Sequence, residues 1–216
     1  MSPRTCISVE RKFSHDLPNE LEQDDLRLSE QVIRYLLERY SSTGDAVFDP
    51  FAGFGTTLLV AERLGRAGYG IECDRKRWSY AQQLLVNPDR MMLGDARVMN
   101  LDGLPRFSLS LSSPIYMNST ESLDPLSGFT ELGDYETYIS SLVEIYSLVA
   151  AHSVAGAHLV VEAANLKRNG TTTMFAWDLA KALADTLRFE GELVLDWGDR
   201  GYGFGYDHSY CLIFRA

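Results

Sequence analysis

The sequence predicts a three-layer α/β domain in which helices cover both faces of a mostly parallel sheet. Short apolar runs, typical of buried strands, alternate along the chain with longer segments of helical periodicity. This alternation is typical of parallel strands joined by crossover helices. Between the last two apolar runs stands a segment rich in Gly, Tyr and Asp without a helical pattern. We therefore expect a hairpin there and an antiparallel final strand.

The helices are predicted from the spacing of their apolar residues. The first, over residues 28–37, carries its leucines, valine and isoleucine on one face and stops before the polar segment 41–44. The same criterion predicts helices over residues 58–64, 75–85, 134–152 and 174–187. The basic cluster at the start of the third helix, Arg75 to Arg77, is expected to face solvent near the ligand edge of the sheet.

The strands are predicted from short apolar runs, each followed at once by a glycine or a polar residue. There are seven of these runs: 46–48, 69–71, 91–93, 107–112, 159–161, 193–195 and 210–214. The opening segment, up to about Asp25, is polar and is expected to be irregular.

The composition is that of a globular protein. The chain has 216 residues, 45% of them hydrophobic, which suits a single domain over residues 1–216 with a sizeable core. The 10 Phe, 11 Tyr and 3 Trp exclude intrinsic disorder because they supply large apolar area. No stretch is long and apolar enough to span a bilayer, so we expect no membrane partner.

Charge and cysteine content bear on compartment and partners. Cys6, Cys73 and Cys211 are far apart, so they form neither a disulfide framework nor a metal-ligand pattern, and the start of the chain lacks the apolar segment of a secretory signal. We expect a reduced, cytoplasmic protein without a metal. The net charge of −10 argues against avid, non-specific binding to nucleic acid, because like charges repel at long range.

The most informative segment is the loop from Asp49 to Thr57, Asp-Pro-Phe-Ala-Gly-Phe-Gly-Thr-Thr, between the first strand and the second helix. Its glycines allow a ligand to approach the backbone closely, next to the free N–H groups that open a helix. The loop lacks the Gly-Lys-Ser/Thr ending of a phosphate loop. Taken alone, it is equally typical of a tight strand-to-helix turn.

Two acidic residues at neighbouring strand ends favour a ligand site. Glu72 ends the second strand, where a carboxylate accepts hydrogen bonds from ribose hydroxyls, and Asp95 follows the third strand, where it suits an adenine amino group. Because ligands of open α/β sheets bind beyond the carboxyl ends of the strands, the loop and both carboxylates are expected at one site. An adenosine-bearing ligand without a pyrophosphate fits best.

The fourth strand runs into Ser113-Pro114-Ile115-Tyr116, and here the chain resembles a known family. This family is the S-adenosylmethionine-dependent amino-methyltransferases that act on exocyclic nitrogens of nucleobases. Residues 49–57 are similar to its cofactor loop, Asp-Pro-Phe-x-Gly-x-Gly-Thr-Thr. Residues 113–116 resemble its acceptor motif, Asp/Asn/Ser-Pro-Pro-Tyr/Phe/Trp, in the serine form typical of cytosine-N4 DNA enzymes. Looser similarities lie at Phe13-Ser14-His15 with Leu17-Pro18 and Leu21, and at 134–135, 159–161, 165–170, 208–210 and 212–215.

The resemblance implies a Rossmann-like class I methyltransferase fold of seven strands and S-adenosylmethionine as methyl donor. It also implies that segment 1–25 lines the methionine end of the cofactor site. The residues implied to bind the cofactor are His15, Asp49, Phe51, Ala52, Gly53, Gly55, Thr56, Thr57, Glu72, Cys73, Asp95 and Ala96. The catalytic residues implied by the resemblance are Ser113, Pro114 and Tyr116.

The acceptor motif makes chemical sense for an amino group conjugated to a ring, whose lone pair is delocalised. Acceptors at the Ser113 hydroxyl and the Pro114 carbonyl would bind the two amino protons and turn the lone pair towards the methyl group. Tyr116 would stack on the acceptor ring, which in a duplex must first be flipped out. An aromatic segment containing Tyr202 and Phe204 would either face this substrate or form a packed turn.

Two departures from the family pattern keep the substrate open. Ile115 stands where the family has a second proline, which removes a constraint on φ. The segment from Met117 to Gly133 is short and acidic, more like a lid than a target-recognition domain. The resemblance still implies a nucleobase in DNA, cytosine at N4 or adenine at N6, ahead of RNA as the acceptor, and the short segment leaves room for a protein partner that supplies target recognition. The alternatives are a small heteroaromatic amine or nucleoside, and a cofactor-binding subunit without activity of its own.

Overall fold

A computed structural model describes residues 4–22, 25–168, 170–198 and 202–216. Five helices alternate with ten strands along these residues. The helices are α1 (Glu30–Tyr40), α2 (Thr56–Arg63), α3 (Arg75–Gln82), α4 (Tyr135–Ala151) and α5 (Phe175–Ala184). The strands are β1 (Cys6–Ser8), β2 (Ala46–Asp49), β3 (Ala67–Glu72), β4 (Met91–Leu93), β5 (Phe107–Ser112), β6 (Ser153–Ala163), β7 (Leu166–Arg168), β8 (Thr171–Thr173), β9 (Arg188–Asp196) and β10 (His208–Arg215).

The main sheet has eight strands in the order β1-β9-β10-β6-β5-β2-β3-β4. All neighbours pair in parallel except β10, which runs antiparallel to both β6 and β9. The predicted antiparallel final strand is therefore confirmed, as are the α/β class and the helices on both faces.

The predicted count of seven strands is wrong by one. The additional strand is β1, which pairs in parallel with β9 and places Ile7 opposite Leu195. Segment 1–25 is thus not irregular throughout. The strand escaped the sequence analysis because it has three residues with a single buried position, Ile7, too few to show an alternating pattern. The antiparallel pair β7–β8 was also missed, and Asn169 lies outside the described residues.

Alternate residues of the central strands serve two cores. Phe48 packs with α4 and α5 on one face of the sheet, whereas its neighbour Val47 packs with α1 and α2 on the other. The same alternation along β6 sends Leu159 and Val161 to the first core and Val160 to the second. Because both faces are buried, these strands read as continuous apolar runs.

Capping residues fix where two of the helices begin. Ser29 accepts a hydrogen bond from the amide of Gln31 and so starts α1 at Glu30, two residues later than its apolar periodicity begins. Asp134 accepts from the amide of Thr137 at the start of α4. None of the described helices combines the length and the apolar character that a bilayer crossing requires.

This topology brings polar strand ends together. Asp49, Glu72 and Ser112 are the last residues of β2, β3 and β5, which are neighbours or next neighbours in the sheet, and Asp95 follows β4 at the same edge. Parallel strands place their carboxyl ends side by side, so the predicted site residues share one edge.

Candidate cofactor and acceptor site

A cleft opens at the carboxyl ends of β2 to β5, and most of the predicted site residues line it. Those on its walls are Asp49, Phe51, Ala52, Gly53, Thr56, Thr57, Glu72, Cys73, Asp95, Ala96, Ser113, Pro114 and Tyr116. The structure thus brings the predicted cofactor residues and the predicted acceptor residues into a single cavity. His15 and Gly55 do not line it.

The loop after β2 depends on two left-handed glycines. Gly53 has φ +53° and Gly55, which precedes α2, has φ +76°. A Cβ added at Gly55 would lie 3.0 Å from Cβ of Ala81 on α3. Gly55 therefore serves the close packing of the loop on α3, while Gly53 presents its backbone to the cleft.

Asp49 anchors this loop from the end of β2. Its side chain is buried, and its Oδ1 accepts a 2.9 Å hydrogen bond from the amide of Phe51. Burial raises the pKa of Asp49 to about 7, although hydrogen bonds from Thr57 and Phe51 oppose the rise. The carboxyl group is thus balanced between its two protonation states at neutral pH.

Glu72 joins the loop to the end of β3. Its Oε2 accepts a 2.8 Å hydrogen bond from the amide of Gly53, and its Oε1 accepts one of 2.8 Å from the amide of Asp74. Burial raises the pKa of this carboxyl, while the Asp74 amide and the charge of Arg77 lower it. Burial and the neighbouring Glu72 charge also raise the pKa of the Cys73 thiol to about 11, which keeps the thiol neutral.

Asp95 caps a short 3₁₀ turn and is held by Arg97. The Arg97 guanidinium donates to both carboxylate oxygens, at 2.7 to 3.1 Å, and also reaches Asp124 at 2.9 Å. Burial opposes ionisation, but the hydrogen bonds and charge of Arg97 lower the pKa of Asp95 overall. Asp95 is therefore ionised, and Arg97 already occupies part of its capacity to accept hydrogen bonds.

The placement of His15 differs from the prediction. Its ring faces a separate surface cavity that Leu59 and Glu62 also line, and its Nε2 lies 3.0 Å from Nη2 of Arg63. The residues of the N-terminal region that do reach the cleft are Leu26, Arg27 and Leu28, just beyond the predicted segment 1–25. Gln23 and Asp24 lie outside the described residues. The spacing of sequence motifs could not show which of these residues the loop turns inward.

Two arginines in the cleft had no assigned role. Arg77, expected to face solvent, lines the cleft, and its buried Nε has no hydrogen-bond partner among the described residues. Arg27 donates to Asp25 and to the carbonyl of His15, and its guanidinium lies 3.9 Å above the ring centroid of Phe13. The start of α3 turns the third residue of its basic cluster inward, while Arg75 and Lys76 stay exposed.

The acceptor motif surrounds a carboxylate that the sequence analysis did not single out. Glu162, near the end of β6, is fully buried, and its Oε2 accepts hydrogen bonds from the Ser113 hydroxyl at 2.7 Å, the Tyr202 hydroxyl at 2.9 Å and the Tyr116 hydroxyl. Its isolation within the apolar run 159–164 was the available signal, because a lone acid in a buried strand is costly unless it is paired.

Aromatic rings and segment 117–133 form a further part of the wall. Tyr116 packs against Phe175 and Phe204, with ring centroids 5.0 and 5.1 Å apart, and Tyr202 and Phe204 both line the cleft. Tyr202 and Phe204 therefore face the site, which is the first of the two arrangements expected for this aromatic segment. Segment 117–133 contributes Pro125 and Leu126 to the cleft.

Ile115, in place of the second proline, is held by a hydrogen bond. Its carbonyl accepts from the hydroxyl of Tyr138 on α4. This contact restrains the loop between Pro114 and Tyr116 by a route other than a proline ring.

Comparisons with solved structures identify the fold. The fold matches TrmN from Thermus thermophilus with a TM-score of 0.60 and 19% identity. The match covers 87% of this chain and 49% of that one. It also matches a TehB-like SAM-dependent methyltransferase from Corynebacterium glutamicum, with a TM-score of 0.53 and 14% identity over 90% of this chain and 91% of that one. The chain has the fold of S-adenosylmethionine-dependent methyltransferases.

Sequence comparison shows that the first part of the chain is similar to DNA methylases. A family model described as DNA methylase matches residues 13–83. The type II methyltransferase M2.DpnII of Streptococcus pneumoniae is 44% identical over 59 residues, which are 26% of this chain and 22% of that protein. The matched regions span about a fifth of the length of the curated relatives.

The cleft suits S-adenosylmethionine on the evidence of its own residues. Gly53 and Gly94 line it, and a Cβ added at Gly94 would meet no protein atom within 4 Å, so the backbone there is open to a ligand. Glu72 and Asp95 supply carboxylate acceptors for hydroxyl and amino groups, as an adenosine requires. Ile71 and Leu126 add apolar surface against which a flat ring can pack.

Proposed function

We propose that this protein is an S-adenosylmethionine-dependent methyltransferase that methylates an exocyclic amino nitrogen of a nucleobase, in DNA in preference to RNA. The observation that carries the proposal is the shared cleft, in which the Asp49 loop and Glu72 meet Ser113, Pro114 and Tyr116. The DNA methylase match over residues 13–83 supports the choice of DNA.

The residues of the loop side would hold the cofactor. Glu72 would accept hydrogen bonds from the ribose hydroxyls, and Asp95 would accept one from the adenine amino group, while Gly53 leaves the backbone accessible. When bound, S-adenosylmethionine supplies a methyl group on a sulfonium, which is an electrophile that needs no further activation. The chain's own task is then to position the acceptor and to exclude water.

The acceptor side would orient the amino group. Because the Ser113 hydroxyl donates its hydrogen to Glu162, its oxygen keeps lone pairs for an amino proton. The Pro114 carbonyl would accept a hydrogen bond from the second amino N–H, and together these contacts turn the nitrogen lone pair towards the methyl group. The partly exposed ring of Tyr116 supplies a flat apolar surface for the acceptor ring.

Target recognition would come from outside the described cleft. Segment 117–133 is short and contributes only Pro125 and Leu126 to the cleft among the described residues, so we propose that a protein partner contributes target recognition. That residues 1–216 form a single domain without a separate target-recognition domain stays a prediction. We also propose a reducing, cytoplasmic setting, because Cys6, Cys73 and Cys211 are all free thiols.

The net charge of −10 favours a second candidate acceptor, a small heteroaromatic amine or free nucleoside. A polyanion is repelled by such a chain at long range, whereas a neutral small molecule is not. Two further alternatives remain to be tested: RNA as the acceptor, and a cofactor-binding subunit without activity of its own.

The experiment is a transfer assay with methyl-labelled S-adenosylmethionine. The pure protein is incubated with equal masses of unmethylated genomic DNA, total RNA and a small-metabolite extract, and Tyr116→Ala serves as the inactive control. Label in DNA that the control loses would support the first proposal, and label confined to metabolites would support the second. Cofactor binding without label in any acceptor would overturn both as stated.

A further inference from the structure

The hydroxyl groups of the acceptor wall converge on one oxygen of Glu162. Oε2 accepts from Ser113 at 2.7 Å, from Tyr202 at 2.9 Å and from Tyr116, and the two tyrosine oxygens lie 2.9 Å apart. The three donors come from the loop after β5 and from the segment before β10, so Glu162 joins two separate parts of the cleft wall.

An ionised carboxylate can accept hydrogen bonds but cannot donate them. Each hydroxyl has one hydrogen, and at Ser113 that hydrogen points away from the cleft, to Glu162. Towards the cleft, Ser113 Oγ therefore presents lone pairs alone. A ligand group that donates a hydrogen bond is bound there, whereas a carbonyl oxygen or an unprotonated ring nitrogen meets a repulsive oxygen.

Burial of the Glu162 carboxylate lowers the stability of the fold. Glu162 is 0% exposed, and its second oxygen, Oε1, has no hydrogen-bond partner among the described residues. Burying a carboxylate costs free energy that the hydrogen bonds to one of its two oxygens offset only in part, so its presence here calls for a functional reason.

The surroundings of Glu162 decide its protonation state. Burial raises its pKa above the ordinary value of a glutamate, and the hydrogen bonds that Oε2 accepts from the hydroxyls of Tyr116, Ser113 and Tyr202 oppose this rise only in part. The other titratable groups that sense its charge are Tyr146 on α4 and Cys211 on β10, both buried and both neutral at pH 7 because burial raises the pKa of each. These groups supply no positive charge.

We propose that Glu162 is a positioning residue that fixes the Ser113 hydroxyl as a hydrogen-bond acceptor and so makes the cleft selective for an amino group. The selection acts against the otherwise similar rings that carry a carbonyl oxygen at the same place. The inference rests on the proposed function, because it assumes that the acceptor ring binds beside Ser113.

The test compares binding of two matched pairs of single-stranded oligonucleotides in the presence of S-adenosylhomocysteine. One pair differs by cytosine against uracil, and the other by adenine against hypoxanthine, so an amino group is exchanged for a carbonyl in each. We expect the wild-type protein to prefer the amino member of at least one pair by about tenfold or more, which corresponds to about 1.4 kcal/mol. Glu162→Met, which has no acceptor, should lose this preference while its S-adenosylmethionine affinity changes less than about threefold.

Two further variants keep the inference falsifiable if Glu162→Met does not fold. Ser113→Ala should lose the same preference, and the double variant with Glu162→Gln should lose no more than Ser113→Ala alone, because Glu162 acts through Ser113. Tyr146→Phe is the matched control: it removes a buried hydroxyl that bonds to Ser112 at 2.8 Å, outside the Glu162 cluster, and should keep the preference.

The outcomes separate this inference from the proposed function. Methyl transfer to an amino substrate by the wild type, with an undiminished amino preference in folded Glu162 variants, would overturn the inference and leave the function standing. Absence of transfer to every acceptor, together with equal binding of both pair members by the wild type, would overturn both.

Discussion

The amide of Gly53 donates a 2.8 Å hydrogen bond to Oε2 of Glu72, and this contact ties the glycine loop after β2 to the end of β3. The two residues are 19 positions apart in sequence, so this hydrogen bond joins two segments that only the fold brings together. The cofactor half of the cleft is therefore already assembled by the chain itself.

Glu72→Gln should weaken S-adenosylmethionine binding by at least about tenfold. The amide leaves one carbonyl oxygen for the ribose and the Gly53 amide together, and a hydrogen bond to a charged group contributes about 1.5–3 kcal/mol. Isothermal titration measures the effect, with Glu192→Gln on β9 as the matched control. Equal affinity of Glu72→Gln and the wild type would remove Glu72 from the cofactor site.

Asp49 should make the protein less stable as pH rises. Its pKa is about 7 in the folded state, above the unfolded value of 3.8, so the folded state binds the proton more tightly. The contribution to stability is full below about pH 4 and is lost as pH rises through 7.

The measurement is the difference in unfolding free energy between wild type and Asp49→Asn, from urea titrations between pH 4 and 8. Because other carboxylates titrate equally in both proteins, the difference isolates Asp49. As pH rises, the free energy of unfolding of Asp49→Asn should increase relative to that of the wild type. A difference that stays constant over this range would contradict the raised pKa.

Gly55→Ala should destabilise the fold by about 1–3 kcal/mol. The residue has φ +76°, and the new Cβ would lie 3.0 Å from Cβ of Ala81. Gly44→Ala is the matched control, since Gly44 also has a positive φ (+90°) but a Cβ there meets nothing within 4 Å. Chemical denaturation should show a larger loss of unfolding free energy for Gly55→Ala than for Gly44→Ala. Equal losses would mean that the contact with Ala81 relaxes.

Tyr116 should act mainly through its ring. Tyr116→Phe keeps the stacking surface and removes one of the hydroxyls on Glu162, so we expect kcat to fall about tenfold or less. Tyr116→Ala removes both and should lower kcat more than about a hundredfold. Steady-state kinetics on the acceptor found in the transfer assay decide this, and equal losses in the two variants would assign the role to the hydroxyl.

Tyr138→Phe should slow methyl transfer without affecting the cofactor. The hydroxyl of Tyr138 holds the carbonyl of Ile115, so its loss frees the loop that carries Ser113 and Tyr116. We expect kcat to fall several-fold while the S-adenosylmethionine Kd stays within about twofold. Tyr35→Phe on α1, away from the cleft, is the control, and an unchanged kcat in Tyr138→Phe would show that the loop needs no such restraint.

The α/β class, the antiparallel last strand and the carboxylates at successive strand ends could all be predicted from the sequence. These follow from local patterns: apolar runs, helical periodicity, and residues that end a strand are all visible within a few neighbouring positions. Even the meeting of Asp49, Glu72 and Asp95 could be predicted, because parallel strands bring their carboxyl ends to one edge.

The tertiary structure decided what depends on contacts between distant segments. It placed β1 beside β9, turned His15 away from the cleft and Arg77 into it, and set Glu162 behind Ser113, 49 positions earlier in the chain. A hydrogen bond between side chains on different strands leaves no spacing pattern in the sequence. Its existence depends on sheet order and on the path of the loops, which the packing of the whole chain determines.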